Sequence, residues 1–428
     1  MEADYNTWTI MVGLSGAFGL GMCFSLLGSI AVKMMPKMNI DQAKFGTMIS
    51  AFMFSSLIAS LVVGVVTDTI GFQAVAMIGF LAAAACVFML AYARSNAVAV
   101  AACVLLGVGA MACNTTGNVL GTSVVSNLFD GDAAAANNLV NVFFGLGLFL
   151  TPFVASLLLE RIAYEKAVSV IGVILLLPVL FVLPATFPEA SAGFVMADAL
   201  ALLAEPVTIV AALVLFCYIS LEMSFSNWLA PFGKEVISAD KKEWDTGRVD
   251  ASAARLLSAF AIAMMIGRLI TSFSGITQFQ GWVIAGGALA SMFIIYAMTN
   301  AKTASSAYGL AALAGLLFAP IFPTTVGVTF SKLGASGSLF GIIFAVGLAG
   351  AVIVPKAIGN MAKGKSSVQK SLKLLLPPCA ALVVLAVILH MLPAKGVAVE
   401  DVPAAVVEAV EDVSVEVDEV LADEPLDY

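Results

Sequence analysis

The sequence predicts an all-α, polytopic membrane protein with twelve transmembrane helices. Apolar runs of roughly twenty residues, the length that spans a bilayer, recur along almost the whole chain. The 428 residues are 61% hydrophobic and 11% charged, with a mean hydropathy of +1.04. A soluble domain averages about half apolar and about a quarter charged residues. This composition therefore excludes a soluble fold.

Segmentation of the sequence with a window of about 19 residues separates twelve spans. The first run is longer than a signal-peptide core of about 7–15 residues and has no basic segment before it, so we interpret it as the first helix. The predicted spans are 8–32, 44–66, 72–93, 97–125, 133–158, 166–186, 206–232, 252–273, 280–299, 305–330, 336–359 and 371–393.

Spans 5 and 11 share a short sequence pattern, which predicts an internal repeat. At a single offset, Phe144, Gly147 and Leu148 correspond to Phe344, Gly347 and Leu348. Two similar halves are typical of transporters. We therefore predict a six-helix half at 1–190, a connector at 191–205, a second six-helix half at 206–393, and an acidic, disordered tail at 394–428.

The formal net charge of −8 belongs to this tail. Eleven of the 28 acidic residues lie within Glu400–Asp427, which contains no Lys or Arg, so the remaining 17 acids face 20 bases and leave +3. The tail is predicted to bind a basic partner or cations. It says nothing about a substrate.

Glu222 is the acid that lies well inside an apolar span. A carboxylate at membrane depth costs on the order of 3 kcal/mol, and such residues usually mark transport or proton pathways. We therefore predict that Glu222 couples transport to protons. The alternative is a structural carboxylate that binds Arg255 or Arg268.

Several amides and one indole are candidate substrate ligands. Asn114, Asn118 and Asn141 lie inside predicted spans, where they either bind substrate or hold helices together by hydrogen bonds. Asn227 and Trp228 follow Glu222 by five and six residues. They belong either to the cavity wall or to the aromatic belt at the membrane boundary.

The segment between spans 2 and 3 reads Gly-Val-Val-Thr-Asp-Thr-Ile-Gly-Phe-Gln from Gly64 to Gln73. It resembles the signature of the major facilitator superfamily, although glutamine replaces the usual basic residue. Gly64 would allow close helix contact, Gly71 a tight turn, and Asp68 the capping of a neighbouring helix. The resemblance implies a gating role for these three residues and for Arg268, at the matching position of the second half.

Four further segments resemble the fucose:proton symporter branch of that superfamily. They are the asparagine-rich start of span 5, the segment around Glu222, Phe322-Pro-Thr-Thr in span 10, and the stretch ending at Pro355 in span 11. That branch also carries an acid in helix 1 and a Glu in helix 4, and both are missing here. Glu222 is then the main candidate proton carrier, and a hexose substrate is in doubt.

Together these observations predict a proton-coupled secondary transporter of a small polar organic solute, such as a sugar, that works by alternating access. The alternatives are an exporter, a carrier of metals or organic anions, and a non-transporting sensor or scaffold. The sequence has no phosphate-binding loop and no hydrolase or metalloprotease motif. We expect no enzymatic activity, no catalytic residues, no cofactor, no bound metal and no nucleic-acid partner. The protein is expected to be a monomer in the lipid bilayer of a bacterial inner membrane.

Two indicators of membrane orientation conflict. The resemblance places both termini and the Asp68 segment in the cytoplasm. Seventeen of the twenty Lys and Arg residues, however, lie in or beside the odd-numbered loops, and the positive-inside rule would place those loops in the cytoplasm. We adopt the family orientation as a hypothesis.

Overall fold

The structure, a computed structural model, describes residues 6–188, 196–362 and 367–394. These residues form helices joined by turns, with no strand among them, and twelve helices are long and apolar enough to cross a membrane. The predicted all-α architecture is therefore confirmed. The predicted tail lies outside the described residues, apart from Ala394, as does the connector segment 191–195.

The twelve helices fall into two successive groups of six. The first group is α1 (Thr7–Met38), α2 (Gln42–Ile70), α3 (Phe72–Tyr92), α4 (Asn96–Phe129), α5 (Ala133–Arg161) and α6 (Tyr164–Val182). The second group is α7 (Pro206–Asp240), α8 (Thr246–Phe273), α9 (Ile276–Met298), α10 (Ala304–Leu333), α11 (Gly337–Ala362) and α12 (Val368–Met391). A short helix, Met196–Ala201, lies in the connector between the groups.

Equivalent helices of the two halves pack in equivalent ways. In the first half α5 packs along α1, and a Cβ at Gly147 would lie 2.1 Å from the carbonyl oxygen of Phe18. In the second half α11 packs along α7, and a Cβ at Gly347 would lie 2.5 Å from the Ile219 side chain. At Gly147 a side chain would meet the backbone of α1, so glycine is needed there for the close helix approach, whereas at Gly347 it would first meet the end of the Ile219 side chain. In each half the fifth helix thus packs along the first.

The fourth helix of each half is interrupted inside the membrane. In α4, residues Thr116–Gly121 form a π-helix. In α10, the α-helix ends at Phe318 and resumes at Ile321. Interruptions at corresponding positions of two repeats are typical of substrate sites in transporters.

The segment 233–251, between predicted spans 7 and 8, is mostly helical. Helix α7 continues past Pro231 to Asp240, and α8 begins at Thr246, where the Asp245 carboxylate caps the backbone N–H of Arg248. Lys and Glu are good helix formers. The two helices therefore extend beyond the apolar layer.

Candidate substrate cavity

A cavity of about 520 Å³ lies between the two halves. Helices α1, α2, α4 and α5 of the first half and α7, α8, α10 and α11 of the second contribute to its wall. Its size falls within the range of small-molecule sites, about 300–1,000 Å³. Eight of the 32 lining residues have polar side chains, namely Asn114, Asn118, Asn141, Glu222, Ser226, Asn227, Ser258 and Arg268.

An ion pair between Glu222 on α7 and Arg268 on α8 lies at this cavity. The Arg268 Nη2 atom is 3.4 Å from Glu222 Oε1, and the side chains are 2% and 19% exposed respectively. They are the charged side chains of the lining. Arg268, rather than Arg255, is thus the partner of Glu222.

Arg268 is also held by two backbone carbonyl groups. Its Nη1 atom donates to the carbonyl oxygen of Asn141 at 3.2 Å, and its Nε atom donates to that of Ala319 at 3.4 Å. In a regular helix the N–H of residue 323 would bond to the carbonyl of residue 319, but Pro323 has no N–H. Arg268 therefore pairs with a carbonyl left free at the interruption of α10. Through Asn141 it also contacts the first half.

Four asparagines on α4 and α5 form one hydrogen-bonded network. The Asn118 side chain donates to Asn114 Oδ1 at 2.8 Å, and its own Oδ1 accepts from Asn137 at 3.2 Å and from Asn141 at 2.9 Å. Asn141 also donates to Asn137 Oδ1 at 2.9 Å. Residues four apart share a helix face. The predicted residues Asn114, Asn118 and Asn141 are therefore brought together at the cavity, where Asn137 supports them.

The rest of the cavity wall is apolar and includes flexible side chains. It contains seven phenylalanines and four methionines. The phenylalanines are Phe24, Phe52, Phe144, Phe149, Phe260, Phe322 and Phe344, and the methionines are Met53, Met223, Met264 and Met265. Methionine fills irregular gaps and adapts to different shapes.

Trp228 does not line the cavity, whereas Asn227 does. The Trp228 indole Nε1 donates to the carbonyl oxygen of Pro355 at 3.0 Å and thereby joins α7 to α11. Successive residues on a helix point about 100° apart. The prediction of Trp228 as a substrate ligand is therefore not supported by its position.

One end of the interface between the halves, which we call the Asp68 side, is closed by α2 and α11. Asp68 Oδ1 accepts a hydrogen bond from the backbone N–H of Gly337 at 2.7 Å, and Oδ2 accepts one from Ser338 at 2.8 Å. A Cβ at Gly64 would lie 2.3 Å from the Gly337 carbonyl oxygen. The predicted capping by Asp68 and close contact at Gly64 are thus both present.

The turn between α2 and α3 occurs at Gly71, whose φ of 85° favours glycine. Arg268, in contrast, does not lie with Asp68, Gly64 and Gly71. It is buried beside Glu222 and Asn141 in the cavity. The structure does not bring Arg268 together with these three residues, because α8 carries it on the face that lines the cavity.

The sequence model of the Major Facilitator Superfamily matches residues 13–355. The chain belongs to this superfamily. Among solved structures, the E. coli fucose:proton symporter FucP, in an asparagine-to-alanine variant, is similar with a TM-score of 0.73 and 17% identity over 89% of this chain and 98% of that one. A structure of FucP in the outward conformation gives the same values. The human organic anion transporter TETRAN has a TM-score of 0.64 and 15% identity over 90% of this chain and 98% of its own. No curated protein sequence matches the chain.

As a member of the Major Facilitator Superfamily, the chain is a multi-pass integral membrane protein with a transporter fold. A second contact between its halves, missed in the sequence, closes the same side as Asp68. Asp132 caps the start of α5, and its Oδ2 atom accepts a hydrogen bond from the Thr277 hydroxyl at 2.5 Å. Nearby, Asn138 on α5 donates to the Thr324 hydroxyl on α10 at 3.2 Å. The sequence signal was the position of Asp132 directly before an apolar helix, which is typical of an N-cap.

Proposed function

We propose that the protein is a proton-coupled secondary transporter that carries a small organic solute through the cavity by alternating access. The observation that carries this proposal is the ion pair between buried Arg268 and part-buried Glu222 in a cavity lined by both halves. Charged groups inside a membrane are costly and are usually functional. A filled apolar interior would instead favour a sensor or scaffold.

In this mechanism the two halves, 1–190 and 206–393, rock about the cavity. Glu222 takes up and releases the proton, and Arg268 is its charged partner. The substrate forms hydrogen bonds with those polar atoms of Asn114, Asn118 and Asn141 that their own network leaves unpaired. The amide of Asn227 contributes one further hydrogen-bonding group. Gly64, Asp68 and Gly71 act in the gate.

The closed Asp68 side supports an alternating-access cycle. The cavity-lining residues of α2, Ile49, Phe52 and Met53, are near the start of the helix, whereas Asp68 is near its end. The cavity thus extends away from the closed side. With the family orientation in a bacterial inner membrane, this monomer would be open to the outside.

Labelling of introduced cysteines from outside tests that orientation. We expect a cysteine near Lys241 to react and one near Asp130 to be protected. Strong labelling near Asp130, with none near Lys241, would reverse the orientation.

The alternatives differ in substrate and direction. A sugar is favoured by the similarity to FucP, and an organic anion by the similarity to TETRAN and by Arg268 in the cavity. In the described ranges, no three His, Cys, Asp or Glu side chains come together as a metal site, so nothing there favours a metal carrier. Export would use the same cavity in the opposite direction.

A ligand screen followed by flux measurements tests the proposal. Purified protein is first screened by thermal shift against sugars, organic acids and metals, since a ligand at 100 times its Kd stabilises a protein by about 2.7 kcal/mol. The ligand found is then followed into proteoliposomes with an imposed pH gradient. Glu222→Gln keeps the side-chain shape and removes the titratable group.

The expected result is that Glu222→Gln loses pH-driven accumulation but still exchanges substrate at equal concentrations. Glu165→Gln is the matched control, because Glu165 pairs with Lys37 and both are partly exposed, 39% and 30%. Undiminished uphill uptake by Glu222→Gln would show that Glu222 is structural.

A further inference from the structure

We infer that the solute is an amphipathic organic monoanion, whose carboxylate takes the place of Glu222 on Arg268 and whose apolar body lies against the phenylalanine and methionine wall. This inference rests on the proposed transport function and adds the substrate class. It follows from how unequally the two members of the ion pair are held.

Arg268 is the fixed member of the pair. Two backbone carbonyl groups hold it in addition to Glu222, and a guanidinium group remains charged at any physiological pH. Its three nitrogens carry five N–H donors, so two donors remain beyond these three contacts. If a ligand removed Glu222 without replacing its charge, Arg268 would be left as an uncompensated buried cation.

Glu222 is the replaceable member. It is more exposed than Arg268, and its contact with Nη2 is long, at 3.4 Å, against about 2.7–2.9 Å for a strong charge-assisted hydrogen bond. Once displaced, Glu222 can become neutral by taking up a proton, whereas Arg268 cannot lose one. A cationic solute bound to Glu222 would leave Arg268 without a negative partner. An anionic solute bound to Arg268 instead leaves Glu222 without its partner, and Glu222 can become neutral by taking up a proton.

Tyr218 offers the displaced Glu222 a hydrogen-bonding group. It lies four residues earlier on α7, and its buried hydroxyl has no hydrogen-bond partner within the described chain. Residues four apart share a helix face, so the Glu222 carboxyl group can turn towards Tyr218.

The wall determines the rest of the substrate. A hexose presents a hydroxyl on nearly every carbon, and each polar group that is buried without a partner costs about 1–3 kcal/mol. The asparagines satisfy one another for the most part, and most lining residues are apolar. An aromatic or aliphatic body therefore fits this wall better than a sugar ring.

The proton balance of the exchange is one to one. Binding converts the Glu222 carboxylate and one proton into the neutral acid, while the substrate carboxylate becomes the new partner of Arg268. The loaded cavity has the same net charge as the empty one. Transport should therefore respond to a pH gradient and not to membrane potential.

The inference is tested with 3-phenylpropionate and with compounds that lack either its carboxylate or its apolar body. Purified full-length protein is titrated with 3-phenylpropionate, 3-phenylpropanol, 3-phenylpropylamine, lactate and glucose. We expect tight binding of 3-phenylpropionate and at least about tenfold weaker binding of the others, equivalent to about 1.4 kcal/mol.

The pH dependence is the decisive measurement. Between about pH 6 and 8 a simple carboxylic acid with a pKa near 4 is fully ionised. Because binding takes up one proton, the Kd of 3-phenylpropionate should rise about tenfold per pH unit wherever free Glu222 is ionised. Glu222→Gln should bind more tightly, without this slope, and gain a larger thermal shift. Lys37 and Glu165 lie outside the cavity lining, so Glu165→Gln should keep the wild-type slope.

Several results would overturn the inference. They are equal binding of the alcohol or amine, the same pH slope in wild type and Glu222→Gln, and no binding of 3-phenylpropionate. Flux measurements distinguish a failure of this inference from a failure of the proposed function. Proton-coupled uptake of an amine or a sugar would support the proposed transport function and contradict the inferred anionic substrate. pH-dependent binding of 3-phenylpropionate without any flux would support the anion site and contradict the transport function.

Discussion

The two ends of the interface between the halves are built from different contacts. On the Asp68 side, backbones touch at Gly64 and Gly337, and carboxylates bind backbone or hydroxyl donors. Around the cavity, long apolar side chains separate the helices, and the inter-half polar contact runs from Arg268 to Asn141. One end is a tight seal, and the other leaves room for a solute.

In the proposed cycle, the ion pair binds the solute, whereas the contacts on the Asp68 side break when that side opens. When the halves separate, water can form hydrogen bonds with the groups on the Asp68 side. Opening therefore leaves no carboxylate there without a hydrogen-bond partner. The ion pair differs, because removing either member leaves the other without its charged partner in the cavity. We therefore expect substitutions at the pair to affect folding and binding, and substitutions at the seal to affect the balance between states.

The largest effect is expected for Arg268→Met. It leaves part-buried Glu222 without its charged partner, so that Glu222 must take up a proton or stay charged in the cavity, and it removes the donors to the Asn141 and Ala319 carbonyls. Breaking a buried pair costs about 3–5 kcal/mol. Thermal unfolding should show a large loss of stability. The double variant with Glu222→Gln should recover part of it. Arg255→Met is the control, because Arg255 is exposed on the same helix. Equal losses of stability in Arg268→Met and Arg255→Met would contradict the assigned role of Arg268.

An intermediate effect is expected for Gly64→Val. A Cβ there would lie 2.3 Å from the Gly337 carbonyl oxygen, so α2 and α11 must separate, at a typical overpacking cost of about 1–3 kcal/mol. The seal should open more often. Gly46→Val is the matched control on α2, since no atom lies within 4 Å of its added Cβ.

Labelling measures that opening. Ser60→Cys is a suitable reporter, because Ser60 is buried and donates to the Gly341 carbonyl oxygen on α11 at 3.0 Å. The six native cysteines are all buried, so background should be low. We expect reaction with an impermeant maleimide to be at least about fivefold faster with Gly64→Val, equivalent to about 1 kcal/mol. An unchanged rate would mean that this contact does not seal the protein.

The smallest effect is expected for Thr277→Val. This change removes the hydrogen bond to Asp132 across the halves but leaves the Asp132 cap of α5 intact. A single hydrogen bond contributes about 1 kcal/mol, so labelling of the same reporter should rise modestly. Thr69→Val is the control, because Thr69 bonds only to carbonyls of its own helix. Equal labelling rates in Thr277→Val and Thr69→Val would show that the Asp132 contact does not help to close the Asp68 side.

The positions of the helices and the intramembrane acid could be predicted from the sequence. In a bilayer every backbone polar group must be satisfied within a helix, so apolar length alone marks the spans. Span 3, predicted at 72–93, is the helix Phe72–Tyr92. Glu222 was evident because one acid in an apolar run is conspicuous. Helix ends were predicted less well, since charged residues beyond the bilayer continue a helix as readily as they end it, as in α7.

The partners of these residues were decided by the tertiary structure. Arg268 and Glu222 are 46 residues apart, and the sequence could not choose between Arg255 and Arg268 because both are separated from Glu222 by a helix connection. Trp228 and Asn227 are neighbours in sequence, yet only Asn227 lines the cavity. Local sequence determines which residues enter the membrane, because transfer from water depends on each side chain. Which residues meet inside depends on how helices from distant parts of the chain pack, and that is a property of the whole fold.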